Sequence, residues 1–273
     1  MGELRAALAI ARKDIRNQSR YRFQVASSIF TPLYQGILPA LLFGASFAVA
    51  GHVVGLEKTI GTQDLAGFVF LGGVMSGLTA TAFWAMAMSI RNEMEMGTLE
   101  PTWLTPTSRE AIVLGRALGG LFWFTLSQIA IFAIGIAFFG LRFRPEIVLA
   151  LPAVAIGIVA MVGVAYSLAA LVLLIKEANF FIDCTNYLFG VAIGAAFPIT
   201  LLPGLVQPVS YLLPTTYTMD LIRQYGLGTR PLFDPTLEYV ALLLTTAIVF
   251  PIGLWAYRRA DRRIRRLGTI NQY

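Results

Sequence analysis

Of the chain's 273 residues, 57% are hydrophobic and only 13% are charged, about half the ~25% charged share of an average soluble domain. No charged residue occurs between Ala117 and Leu141, and mean hydropathy is +0.70. A soluble single domain, a coiled coil, a collagen-like chain and a disordered chain all fit poorly, which leaves a polytopic helical membrane protein.

The net charge of +6 and pI near 9.7 do not point to nucleic acid. The basic residues sit beside apolar spans and form no basic stripe interleaved with aromatics. Cys184 and His52 are each the only residue of their kind. No internal disulfide, Cys-based zinc site or histidine cluster is therefore expected.

Residues 1–22 form the first predicted element. Leu4, Ala7, Leu8, Ala11 and Ile15 recur at helical spacing, with Arg5, Arg12, Arg16 and Arg20 on the other side. This reads as an amphipathic helix lying in the membrane interface, basic face toward anionic headgroups. The plainer alternative is a positive flank that only fixes topology. The stretch lacks the 7–15-residue apolar core of a signal peptide and runs directly into a span.

A crossing helix needs about 20 mainly apolar residues. Six segments qualify: 23–49, 65–90, 113–139, 147–175, 180–202 and 237–257. The fifth is the weakest, since it carries Asp183 and Asn186 and runs toward Pro198, Pro203 and Pro208. Sixteen of the 21 lysines and arginines fall on the side of the termini. By the positive-inside rule both termini are expected in the cytoplasm. The expected organisation is an interfacial helix at 1–22, a six-span domain at 23–257 and a basic cytoplasmic tail at 258–273.

The cytoplasmic segment 91–110 holds three of the fifteen acids. Gly97 breaks the helix leaving span two, Pro101 suits the first position of a new short helix, and Pro106 stops it. Thr107-Ser108-Arg109-Glu110 fits a capping box opening the next helix. Two readings fit Leu99, Trp103 and Leu104 beside the glutamates. One is an anchor set docking into a groove of another protein; the other is a surface loop whose Trp103 rests among headgroups.

The run 93–106, E-x-x-x-G-T-L-E-x-x-x-L-T-P, resembles the cytoplasmic loop of ABC type-2 exporter permeases, including the daunorubicin-exporter-like drug permeases. Six spans, cytoplasmic termini and the leading amphipathic helix are similar to that family too. So is Leu213-Pro214-Thr215-Thr216-Tyr217 followed by Asp220 and Arg223. The resemblance implies an all-α integral membrane fold with a cytoplasmic coupling helix and an outer re-entrant hairpin before the last span. It also implies that Glu93, Gly97, Thr98, Leu99, Glu100, Leu104, Thr105 and Pro106 couple the permease to a separate ATPase subunit. Glu95 and Trp103 join them on their chemistry alone. No G-x-x-x-x-G-K-[ST] run occurs, so no cofactor is expected on this chain, and Mg-ATP belongs on the partner.

Between Ala195 and Pro214 the prolines at 198, 203, 208 and 214 make a straight helix improbable. The stretch is too apolar for an open loop. Broken helices dipping into the outer leaflet fit both facts, and the resemblance implies that Pro198, Pro203 and Pro208 belong to an outer gate. A tight apolar cap on the bundle is the alternative. Polar residues in the spans are the candidate substrate path: Gln35, Gln128, Asp183, Thr185 and Asn186. Each equally fits interhelical bonding or, for Asp183, a structural pair with Lys176. Small residues such as Gly157, Ala160 and Gly163 are read as packing.

The expectation is therefore the membrane subunit of an ATP-driven exporter in a bacterial or archaeal cytoplasmic membrane, not itself an enzyme. Its partners would be two ATPase subunits, a second identical or homologous permease, and membrane lipids, with no nucleic acid. The cargo would be an amphipathic or hydrophobic molecule. The alternatives are a lipid-linked polysaccharide or teichoic-acid exporter and an ion-coupled transporter. An integral-membrane enzyme is disfavoured because the acid-rich loop lacks a companion histidine.

Overall fold

The computed structural model describes residues 2–38, 41–42, 59, 61–88, 107–175 and 178–267. Every regular element among them is helical. The first, α1 (Gly2–Gln18), packs along α4 (Arg109–Phe139), with Ala7 and Ala11 buried and Leu4 and Leu8 exposed. The predicted amphipathic helix is present, and its smallest apolar residues form the packed edge.

After α2 (Arg22–Pro32) the backbone widens into a π turn over Leu33–Ile37. Most of the remainder of the expected first span lies outside the described residues. α3 (Leu65–Phe83) starts at Asp64, whose Oδ1 accepts the Gly67 N–H at 2.8 Å, and continues as a π turn over Trp84–Met88. α4 follows, ending at Gly140 in the left-handed region (φ 64°). A 3-10 turn (Pro145–Ala150) then leads into α5 (Leu151–Leu174). α6 (Ala178–Ala192), the short α7 (Gln207–Leu212), α8 (Pro214–Leu227) and the long α9 (Pro235–Leu267) complete the chain.

Four of these helical stretches are long and apolar enough to cross a membrane: Leu65–Met88, Arg109–Phe139, Pro145–Leu174 and Pro235–Ile264. They match the second, third, fourth and sixth expected spans. The fifth differs. Its helix stops at Ala192 rather than near 202, and 15 residues reach only about 22 Å at ~1.5 Å per residue. Gly194 turns the chain at φ +71°, a conformation that costs a residue with a Cβ, and Pro198 opens a 3-10 turn over Ile199–Leu201.

α5 and α9 make the tightest helix pair. Gly163 and Gly253 face each other, and a Cβ on Gly253 would overlap the Gly163 carbonyl. Close backbone approach of this kind drives helix association where lipid is as apolar as leucine. The core gathers Leu71, Met75, Phe83, Met161, Leu173, Ile182 and Phe189, with the Phe83 and Phe189 rings edge to face at 5.5 Å. Ile129, Ile136 and Phe138 on α4, and Leu244, Ile248 and Trp255 on α9, are exposed. Aliphatic and aromatic faces of this extent are what a helix presents to lipid.

Candidate functional site

Three places in the fold bring polar chemistry together. The first is where α4 begins, directly after the predicted coupling segment. Ser108 is the N-cap, its Oγ accepting the Ala111 N–H at 3.2 Å. The expected capping box is thus shifted by one residue, and Glu110 does not reach back to the cap. Instead, Glu110 Oε1 accepts from Arg258 Nε at 2.8 Å, and its backbone carbonyl accepts the Tyr166 hydroxyl at 3.0 Å. Arg109 is ion-paired with Asp261, and both side chains are largely buried. Ser108 Oγ also donates to Glu3 Oε2 at 2.5 Å. Three consecutive residues therefore fasten the entrance of α4 to α1, α5 and the far end of α9.

Residues 93–106 lie outside the described residues. The geometry of Glu93, Glu95, Gly97, Thr98, Leu99, Glu100, Trp103, Leu104, Thr105 and Pro106 accordingly forms no part of this site.

The second place is a cavity of about 630 Å³ between the end of α1, α3 with its π turn, and α4. Asp14, Gln18, Tyr21 and Arg116 line it, together with Trp84, Trp123 and Gln128. Along α4, Arg116 and Gln128 are twelve residues apart, about 18 Å at ~1.5 Å per residue. The cavity thus runs from a charged end beside the interfacial helix, past indole walls, to a buried amide. Arg116 lies 4.0 Å from Asp14, and Trp123 Nε1 has no hydrogen-bond partner among the described residues.

Of the predicted path residues, Gln128 lies in this cavity. Gln35 falls in the π turn of α2, and its side chain is outside the described residues. Asp183, Thr185 and Asn186 sit on α6 and do not line it. Asp183 is exposed on the same face as Phe180, Tyr187 and Leu188. Arg116, Trp84 and Trp123 were not singled out from sequence as path residues, because nothing in a single chain relates α1 to α3 and α4.

The third place is at the opposite end of the bundle. Arg223 on α8 is fully enclosed, and its guanidinium donates to the carbonyls of Gly194 (2.7 Å), Ala195 (2.6 Å) and Phe68 (3.3 Å). It also stacks over the Phe68 ring, 3.4 Å from the centroid. One arginine thus satisfies the carbonyls where the chain leaves α6 and ties them to α3, the kind of partner that broken helices in a membrane need. Asp220, one turn earlier, accepts the Leu232 N–H at 3.0 Å, and Glu238 at the start of α9 accepts the Phe233 N–H at 3.0 Å. Burial pushes the Asp220 carboxyl upward, opposed by the Leu232 N–H, a hydrogen bond with Glu238 and the Arg223 charge.

Of the predicted gate prolines, Pro198 is buried and lines a 310 Å³ cavity with Asp220 and Arg223. Pro203 and Pro208 are exposed. Pro208 lies in the first turn of α7.

Lipid-facing helices around a partly polar internal cavity define a helical membrane transport protein. The chain belongs to the ABC-2 type transporter family, which it matches over residues 5–226. It is similar to Nodulation protein J of Neorhizobium galegae, at 27% identity over 241 residues, covering 83% of this chain and 88% of that protein. The resemblance read from residues 93–106 and 213–223 is borne out at the level of the family. In that family this chain is the transmembrane component, and the ATPase activity lies on a separate subunit.

Proposed function

We propose that this chain is the permease subunit of an exporter that moves an amphipathic or hydrophobic molecule, drug-like or lipid-like, from the cytoplasm or inner leaflet. Two permeases, identical or homologous, work with two ATPase subunits carrying Mg-ATP. The complex sits in a bacterial or archaeal cytoplasmic membrane with both termini inside. The observation that carries this reading is the fastening of Ser108, Arg109 and Glu110 to α1, α5 and α9. A segment pushed by a closing ATPase pair delivers its displacement at residue 107. From there a rigid junction moves the interfacial helix and the last span together.

The cavity beside α1 supports the cargo class, since its polar mouth and indole walls match a molecule with a polar head and an apolar body. The exposed apolar face of α6 supports a second permease copy as a neighbour. A lipid-linked polysaccharide or teichoic-acid cargo is the alternative on the same fold.

The test of coupling is co-expression with the cognate ATPase. Glu100→Ala and Leu104→Ala are expected to lower copurification or permease-stimulated ATP hydrolysis by at least threefold. Unchanged assembly together with unchanged stimulation by both variants overturns the coupling assignment.

A further inference from the structure

The loop between α8 and α9 is held in an unusual way. Its backbone amides at Leu232 and Phe233 point to two different carboxyls, Asp220 from α8 and Glu238 from α9. The two carboxyls also hydrogen-bond to each other, and such a bond requires a proton on one of them. Glu238 is 0% exposed, and its Oε2 has no other hydrogen-bond partner among the described residues. Nearby, Thr229, 5% exposed, turns an equally unpartnered hydroxyl into the cavity that Asp220 lines.

The surrounding charges do not remove the need for that proton. Arg223 is the nearest cation, but its printed donor bonds all go to the carbonyls of Phe68, Gly194 and Ala195. Arg230 lines the same cavity and is exposed. The Tyr217 hydroxyl donates to the Tyr211 carbonyl at 2.7 Å, and the Asp234 carboxylate accepts the Thr236 N–H at 2.9 Å. Two enclosed carboxyls in contact do not both ionise at neutral pH.

We propose that Asp220 and Glu238 form a proton-binding site, sharing one proton that latches the 228–234 loop between α8 and α9. With the proton present, each carboxyl keeps an oxygen for its backbone amide, and the pair carries one negative charge beside Arg223. When it leaves, two buried carboxylates repel across the joint and the loop is released. The folded latch holds a proton that an open, hydrated loop gives up, so its stability falls as pH rises. The raised Asp220 carboxyl agrees in direction. On the orientation proposed above, the site faces the outside. The latch would then respond to external pH at the place where α8 joins the last span, whatever the cargo.

The test is hydrogen–deuterium exchange of the purified permease in lipid nanodiscs, without ATPase or cargo, at pH 6 and pH 9 with labelling times corrected for intrinsic exchange. The wild-type peptide covering Leu232 and Phe233 is expected to exchange at least tenfold faster at pH 9. Glu238→Gln keeps an amide acceptor and donates permanently to Asp220, so its peptide is expected to stay protected at both values. Equal wild-type protection at the two pH values, or the same pH-dependent loss in Glu238→Gln, overturns the proposal. Should Glu238→Gln lose protection along the whole chain, Asp220→Asn is read in its place against the same two outcomes. Because neither nucleotide nor substrate enters the measurement, its failure leaves the exporter assignment standing, and failure of that assignment leaves the latch.

Discussion

Replacing Arg223 by methionine removes the cation and keeps most of the volume. Two bonds are short, to Ala195 at 2.6 Å and to Gly194 at 2.7 Å, and the third, to Phe68, is 3.3 Å. A hydrogen bond to a charged group contributes about 1.5–3 kcal/mol, so the two short bonds alone account for roughly 3–6 kcal/mol. The freed carbonyls at the end of α6 are then enclosed without partners, which adds to the loss, while the apolar replacement recovers part of it. A net destabilisation of about 3–5 kcal/mol corresponds to a fall in Tm of roughly 10 °C for a chain of this size.

Cys184, the only cysteine, sits half-buried on α6. A thiol-reactive fluorophore in a thermal ramp therefore reports the loosening of the helix that Arg223 caps. Arg223→Lys, which retains a charge but spreads fewer donors, is expected between wild type and Arg223→Met. A Tm for Arg223→Met within 2 °C of wild type refutes the reasoning about this cap, because the cost of three stranded carbonyls cannot be hidden in so small a shift.

The junction at the start of α4 makes a different demand. Arg109→Ala or Asp261→Ala alone leaves a buried charge without its partner and is expected to cost about 3 kcal/mol, the double variant less than the sum of the two; additive losses in thermal unfolding would contradict pairing. Gly253→Leu forces a side chain into the Gly163 carbonyl and is expected to abolish a monodisperse gel-filtration peak, whereas Ile252→Leu on the exposed face leaves it intact. Trp123→Ala and Gln128→Leu are expected to lower transport at least fivefold with copurification of the ATPase unchanged. Full transport by both variants would remove the cavity from the path.

What the sequence made legible follows from what hydropathy measures. The helices α4, α5 and α9 are long, apolar and closed by ordinary signals, so their spans were readable to within a few residues. The fifth was not. Its apolar run continues through Leu202, while the stop at Ala192 depends on Gly194 turning over and on Arg223, which is remote along the chain but supplies the missing donors. Resemblance drew attention to Asp220 and Arg223, but Glu238 gave no signal, because only the packing of α9 against α8 brings it to Asp220. The capping residue was off by one because Thr107 and Ser108 are equally good caps by type, and the choice rests on contacts with Glu3 and the far end of α9. Among the path residues, Gln128 was found because an amide within an apolar span stands out. Arg116 and Trp123 gain their meaning only from the placement of α1.

ATP-driven movement in inverted membrane vesicles tests the central claim most directly. Vesicles containing the permease and its ATPase, with ionophores collapsing every ion gradient, are given two probes, an NBD-labelled phosphatidylethanolamine and a fluorescent anthracycline. The account predicts ATP-dependent transfer of at least one probe, lost when the ATPase carries an inactive nucleotide site and reduced at least threefold by Glu100→Ala or Leu104→Ala. Transfer that follows an imposed ion gradient and ignores ATP would contradict it.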